Sequence, residues 1–134
     1  MDLAWFQGAI LRLDEGIVRC RLKPADTEVR DGLLHRFKVT YDLAHRTLKR
    51  YLESSAPNPE EIDRMAFQDL IRTASEQGLL LGEWQDWKQY REMRSRTSHA
   101  YDEGMALQVV AGIPKFLLEV QHLLRSLRER LGND

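Results

Sequence analysis

Apolar residues recur at alternating steps of three and four through most of the chain, and this spacing limits the fold more than any other feature. One such row, in a segment without proline, comprises Leu34, Phe37, Tyr41, Ala44, Leu48 and Tyr51. Because an α-helix has 3.6 residues per turn, this spacing places all six side chains on one face. The sequence therefore predicts a long amphipathic helix that ends near Ser54.

Similar signals predict helices on both sides of this segment. The first row comprises Leu3, Phe6, Ile10, Leu13, Ile17 and Cys20. After Pro24, Asp26 or Thr27 can cap the next helix by accepting a hydrogen bond from its free amide groups. Asn58 followed by proline predicts another helix start, and Gly78 predicts the end of that helix.

The C-terminal half predicts two more helices, one over about 83–97 and one over most of the remainder. The apolar row of the last helix comprises Val109, Ile113, Phe116, Val120, Leu123 and Leu127, with a second row at Leu117, Leu124 and Leu131. Pro114 should kink or split this helix, and part of its wide apolar face is available to a dimer. These lengths predict an all-α, four-helix up-and-down bundle, with one extra short or kinked helix allowed.

Length and charge limit the function classes. The 134 residues fit one domain, and 20 Lys and Arg against 21 Asp and Glu exclude a global positive field. The N-terminus lacks the basic start of a secretory signal, and no run approaches the ~18 apolar residues of a membrane span. We therefore expect a cytoplasmic protein without membrane contact. The single cysteine, Cys20, we expect to be a small core residue.

Signatures of cofactor and metal chemistry are missing from the sequence. No Gly-rich phosphate loop, paired cysteines or zinc-binding helix is present, and the four histidines lie at least ten residues apart. We therefore expect neither a cofactor nor a metal.

The segment from Trp87 to Glu103 is the strongest candidate for a local anion site, because its basic residues outnumber its acids. On a continuing helix, Arg91, Arg94 and Ser98 share a stripe with Trp87, so that guanidinium groups and a ring could bind a nucleotide. In the alternative interpretation, Trp87 belongs to the core and the arginines form a solvated face.

Arg94 and His99 are the candidate catalytic pair. Five positions correspond to about 140° on an unbroken helix, so the two side chains converge only if the helix ends between them. Thr97 and Ser98 favour such an end, because their hydroxyls compete for backbone groups. Arginine can hold a phosphate and histidine can exchange a proton near neutral pH, which suits metal-free cleavage of RNA by its own 2′-hydroxyl. The spacing alone is not specific, because Arg30 and His35 share it.

Two longer stretches carry a family resemblance. R-S-R-T-S-H-A-Y-D-E, from Arg94 to Glu103, resembles the motif of HEPN (higher eukaryote and prokaryote nucleotide-binding) domains, and the His-x-Tyr within it is typical of HepT-like toxins. R-F-K-V-T-Y-D-L-A-H-R-T-L-K-R-Y-L-E, from Arg36 to Glu53, resembles a helix of the nucleotidyltransferase substrate-binding protein branch. Together with A-F-Q-D-L-I and G-L-L, the resemblance covers about residues 30–103.

The resemblance implies a homodimeric bundle in which two motifs face a shared cleft that takes RNA or nucleotide. It also implies a separately encoded minimal nucleotidyltransferase as partner, often as toxin and antitoxin. Arg94 and His99 would be catalytic in a metal-independent endoribonuclease, and Tyr101 would be the residue that the partner adenylates. Ser95 departs from the family pattern, where Asn is usual, and His45 stands where Trp is usual.

Two hypotheses of different classes follow. In the first, the chain is an RNA-cleaving toxin subunit that uses Arg94 and His99. In the second, it is a non-catalytic subunit that presents nucleotide or substrate to the nucleotidyltransferase through Arg91 and Arg94. A plain helical scaffold ranks third. Among the remaining candidates, we assign His35, His45 and His122 to core edges or surface, and Trp5, Phe6, Phe37, Tyr41 and Phe116 to core or dimer packing.

Overall fold

The computed structural model describes residues 1–132, which form a helical bundle. The α-helices within these residues are α1 (Ala4–Leu22), α2 (Thr27–Ser55), α3 (Pro59–Arg64), α4 (Phe67–Glu76), α5 (Trp84–Arg96) and α6 (Glu103–Leu131). A single 3-10 turn, Thr97–His99, separates α5 from α6. The all-α prediction is confirmed, and no strand occurs in the part of the chain that is described.

The first two helices begin and end where the sequence predicts. Asp26 caps α2, because its side chain accepts hydrogen bonds from the amides of Glu28 (3.0 Å) and Val29 (3.1 Å). The packing of α1 on α2 is fixed by polar contacts as well as apolar ones. Arg36 donates to the carbonyl of Arg12 at 2.7 Å and so links the two helices.

The predicted helix from Asn58 to Gly78 is two helices in the structure. Asn58 caps α3 through the amide of Glu60, and Gly78 follows α4 with a positive φ of 74°, as expected of a helix-ending glycine. Between them, Met65 and Ala66 are extended. On an unbroken helix Ile62 and Phe67 would lie about 140° apart. The break lets both side chains pack on the core.

The last helix runs unbroken through Pro114, so the helix is not split there. Leu117 and Leu124 are buried within the same subunit, which means that most of the second apolar row packs inside the bundle and is not left for a dimer. At its C-terminus, Gly132 has a φ of 70° and closes the helix in the left-handed conformation.

The core lies between α1, α2, α5 and α6, and α4 packs against α2 and α5. At its centre is a cluster of rings that comprises Phe37, Tyr41, Trp87, Tyr90 and Phe116. Phe6 and Cys20 are also buried, as predicted, but Trp5 is 80% exposed and is not a core residue. None of the helices in residues 1–132 has the length and apolar content that a membrane span requires.

Candidate functional site

Helix α5 ends between Arg94 and His99, as the candidate site requires. The Thr97 hydroxyl donates to the Arg94 carbonyl (2.6 Å) and the Ser98 hydroxyl to the Ser95 carbonyl (2.9 Å). These bonds satisfy carbonyls at the end of α5, where the backbone tightens into the 3-10 turn. Asp102 then caps α6 through the amide of Met105. The predicted helix end is therefore confirmed.

Arg94 is held by an acid on another helix. Its Nε and Nη2 donate to the two carboxylate oxygens of Asp42 at 3.0 and 3.2 Å, which is a bidentate fork. The hydrogen bond to Asp42 raises the pKa of the Arg94 guanidinium. Both side chains are partly exposed, at 33% and 40%, so the pair lies at the surface between α2 and α5. Asp42 thus fixes the plane of the guanidinium group.

His99 and Tyr101 form the second half of the site. His99 Nδ1 lies 3.5 Å from the Tyr101 hydroxyl, and the two rings meet edge to face with centroids 6.0 Å apart. Tyr101 is 87% exposed and does not pack into the core. The phenol is therefore accessible to another molecule while it contacts the imidazole.

Arg91 lies over a ring, but that ring belongs to Phe67 and not to Trp87. The guanidinium carbon is 5.8 Å from the centroid of the Phe67 ring. The His45 ring packs on the same ring, with the two centroids 4.7 Å apart. Burial of the His45 side chain lowers its pKa, and the positive charge of the nearby Lys49 lowers it further. Arg91 itself is exposed, so its guanidinium group remains accessible to an anion.

Trp87 is a core residue, so of the two interpretations of its ring, packing in the core is correct and binding of a nucleotide is not. It is fully buried, and its indole N–H donates to the Glu119 carboxyl group at 3.0 Å. Glu119 also accepts the amides of Leu81 (2.8 Å) and Gly82 (2.7 Å), so this buried group ties the loop before α5 to α6. The Trp87 ring is not available to stack a base.

The structure joins the predicted residues into two pairs and not one. His99 meets Tyr101, and Arg94 meets Asp42, but no hydrogen bond within residues 1–132 links Arg94 to His99. Asp42 was absent from our candidates because it lies 52 positions from Arg94 and no local spacing connects them. Ser95 and Ser98 are exposed beside the turn. No group of three or more metal-ligating side chains gathers in the described part of the chain.

The other Arg-x-x-x-x-His pattern lies inside α2, where the helix is unbroken. Arg30 is buried and His35 is exposed, so the two side chains diverge. His45 and His122 are half-buried, which confirms the assignment of all three remaining histidines to core edges or surface. The helix end, and not the spacing, distinguishes the pattern at Arg94.

Comparisons with known proteins identify the family and the fold of the chain. A family model described as nucleotidyltransferase substrate binding protein like matches residues 1–129. The chain is similar to the probable ribonuclease HepT of Haemophilus influenzae, with 39% identity over 74% of this chain and 67% of that protein. It is also similar to a solved Haemophilus influenzae structure, described as revealing the fold of a substrate binding domain of a nucleotidyltransferase. That match has a TM-score of 0.88 and 32% identity, and it covers 95% of this chain and 99% of the other.

The family model spans nearly the whole chain, and the ribonuclease relative is more than 30% identical to it. The chain therefore belongs to the nucleotidyltransferase substrate-binding protein family.

Proposed function

We propose that this chain is the partner subunit of a minimal nucleotidyltransferase, and that it is a metal-independent endoribonuclease of the toxin and antitoxin type. The observation that carries the proposal is the end of α5 between Arg94 and His99. Because the α-helix ends there, the separation of about 140° that an unbroken α-helix would impose on the two side chains does not apply. The ribonuclease description of the Haemophilus influenzae relative supports the same reaction class.

In the proposed reaction, Arg94 binds the scissile phosphate. Asp42 accepts from Nε–H and from one N–H of Nη2, so the second N–H of Nη2 and both N–H groups of Nη1 remain as donors for phosphate oxygens. The ribose 2′-oxygen attacks phosphorus and loses its proton to a base, and the bond from phosphorus to the 5′-oxygen breaks as an acid protonates that oxygen. His99 serves one of these two proton transfers. Because Asp42 already orients the guanidinium, little side-chain entropy is lost when RNA binds.

The reaction needs a second proton carrier, and a second copy of the chain can supply it. We propose a homodimer in which two His99 side chains face one cleft, so that one acts as base and the other as acid. Trp5, which is exposed on α1, is a candidate for the contact between the subunits. Light scattering should then give twice the mass of the chain.

The proposal is tested by cleavage of RNA in the presence of a metal chelator. Arg94→Ala and His99→Ala should each reduce the cleavage rate by about 10²-fold or more while the helical circular dichroism signal is unchanged. His35→Ala is the matched control, because it removes an exposed histidine from the other copy of the pattern. Wild-type protein that fails to cut RNA, or folded variants that cut at the wild-type rate, would contradict the proposal.

A second function is favoured by the position of Arg91. Its exposed guanidinium lies over Phe67, and Arg94 follows it by one turn of α5, so the two cations can form a clamp for an anionic nucleotide. The chain would then be a non-catalytic subunit that offers nucleotide or substrate to its partner. Nucleotide affinity that falls about tenfold in Arg91→Ala, without turnover of any RNA, would select this function.

A further inference from the structure

Helix α5 carries a stripe of solvent-accessible side chains that leads to the 3-10 turn after its last residue. The α5 stripe comprises Trp84, Lys88, Arg91 and Ser95, whose steps of four, three and four place them on one face of the helix. Lys88, Arg91 and Ser95 are exposed, and Trp84 is half-buried. Because each helical residue rises about 1.5 Å, the stripe is about 16 Å long.

The α5 stripe is positively charged and contains no acid. Within residues 1–132, neither Lys88 nor Arg91 makes an ion pair. The acids of α5, Asp86 and Glu92, lie outside the stripe, and Asp86 is bound to Lys115 on α6 at 2.7 Å. Two cations that no carboxylate of the described chain neutralises attract phosphates locally, although the whole chain has a net charge of -1.

Arg91 is the member of the stripe that is best prepared to contact a nucleobase. Its guanidinium carbon lies 5.8 Å from the centroid of the Phe67 ring, which is within the range of a cation–π contact. The half-buried Phe67 ring is itself held edge to face by His45 and Trp84, with centroids 4.7 and 5.8 Å away. These contacts restrict the guanidinium group before any ligand arrives, so less side-chain entropy is lost on binding.

We infer that the α5 stripe binds single-stranded RNA on one side of the scissile phosphate, with a nucleobase stacked on Arg91. The inference rests on the ribonuclease proposal, because Ser95 and the neighbouring Arg94 bring the stripe to the turn at which the phosphate is cleaved. Unpaired bases stack on arginine planes and on aromatic rings, and both are present at Arg91 and Phe67. Stacked nucleotides rise about 3.4 Å each, so the stripe holds at most about five.

The rings distinguish RNA from other anionic ligands. Inorganic phosphate or an acidic peptide would neutralise Lys88 and Arg91, but neither has a flat face to cover the guanidinium plane of Arg91. A nucleotide strand supplies both a regular row of charges and a planar base. Only this ligand uses the cations and the ring cluster together.

Binding is tested with a strand that cannot be cleaved. A six-nucleotide 2′-O-methyl RNA lacks the free 2′-hydroxyl, and its affinity for the full chain is measured by fluorescence anisotropy. It should bind about tenfold more tightly than an abasic strand of the same length, because base stacking is lost in the abasic strand. A hexaglutamate peptide carries similar charge without bases, and it should bind no more tightly than the abasic strand.

Four variants separate stacking from charge. Arg91→Lys keeps the charge and removes the planar group, so it should abolish the preference for bases and leave the salt dependence of binding unchanged. Phe67→Leu should also reduce the preference, because the guanidinium loses its supporting ring. Lys88→Met should lower the slope of log affinity against log salt by about 0.7 without changing the preference. Arg125→Met removes an exposed cation of α6 and should change neither property.

Cleavage shows where the strand lies relative to the turn. A 2′-O-methyl strand with a single ribose can be cut only at that ribose, which fixes the scissile phosphate. Removing the neighbouring base on one side should lower kcat/KM by about tenfold in the wild type, and removing the base on the other side should not. In Arg91→Lys, neither removal should have an effect.

Two results would overturn the inference. The first is an abasic strand or a hexaglutamate peptide that binds as tightly as the six-nucleotide RNA. The second is a preference for bases that persists in both Arg91→Lys and a folded Phe67→Leu. Base-dependent binding without any cleavage would contradict the ribonuclease proposal and leave the stacking site in place. Cleavage that is insensitive to every abasic position would contradict the stacking site alone.

Discussion

Arg94 on α5 and Asp42 on α2 form a bidentate ion pair whose two hydrogen bonds measure 3.0 and 3.2 Å. A residue of α2, which is distant in the sequence, thus fixes the orientation of the candidate phosphate-binding side chain. An arginine held in this way keeps its orientation but has part of its charge neutralised. The ion pair therefore weakens the attraction of Arg94 for RNA, but it improves the accuracy with which the phosphate is placed.

We predict that Asp42→Ala separates these two effects. The guanidinium gains net positive charge but loses its fixed plane, so kcat should fall by about tenfold while KM for RNA does not rise. The loss of stability should be small, about 1 kcal/mol or less, because solvent screens a partly exposed pair. Steady-state cleavage kinetics measure the first effect, and urea denaturation measures the second. A raised KM with unchanged kcat would contradict the assigned role.

Adenylation of Tyr101 gives a second prediction, which rests on the proposed partnership with a nucleotidyltransferase. The exposed phenol beside His99 should accept an adenylyl group when the chain is incubated with its partner and ATP. Intact mass spectrometry should show the added mass for wild type and not for Tyr101→Phe. Tyr51→Phe is the control, because Tyr51 is buried and its loss should leave the modification unchanged. An equal mass increase in Tyr101→Phe would assign the modification to another residue.

Stability of the loop before α5 should depend on Glu119, which is 1% exposed. Glu119→Ala leaves two amides and the Trp87 indole without an acceptor, so the free energy of unfolding should fall by about 3 kcal/mol. Glu119→Gln retains one acceptor oxygen and should lose less. Chemical denaturation of both variants, with urea, measures the difference. Equal losses in the two variants would indicate that packing matters here and hydrogen bonding does not.

Stability should also depend on pH through His45. Burial lowers its pKa in the folded state, so the unfolded chain takes up the proton first as the pH falls. The contribution of His45 is therefore fully present above pH 6.5, the ordinary value, and it is lost as the pH falls from there towards the lower folded pKa. His45→Phe keeps an aromatic contact with Phe67 and should flatten the profile between pH 7.5 and pH 5. The midpoints of urea denaturation should be measured for both proteins across this pH range. An identical dependence of the midpoint on pH in the two proteins would contradict the prediction.

Local patterns predicted most of the fold. The apolar rows identified the long helices, and the capping side chains of Asp26 and Asn58 marked two starts within a residue of the observed ones. These features succeed because a helix is specified by neighbours three and four positions apart. The break at Met65 and Ala66 was not predicted, because it depends on Phe67 packing against Tyr41 and His45, which lie on another helix.

The sequence by itself determined the helices other than the separation of α3 from α4, the end of α5 after Arg94, and the family resemblance that singles out Arg94, His99 and Tyr101. Only the tertiary structure decided that Arg94 binds Asp42, that Arg91 contacts Phe67, and that Trp87 is buried against Glu119. The physical reason is the distance along the sequence over which each kind of interaction acts. Helical periodicity and capping act within a few residues, whereas ion pairs and ring contacts depend on which helix faces are brought together when the whole bundle packs.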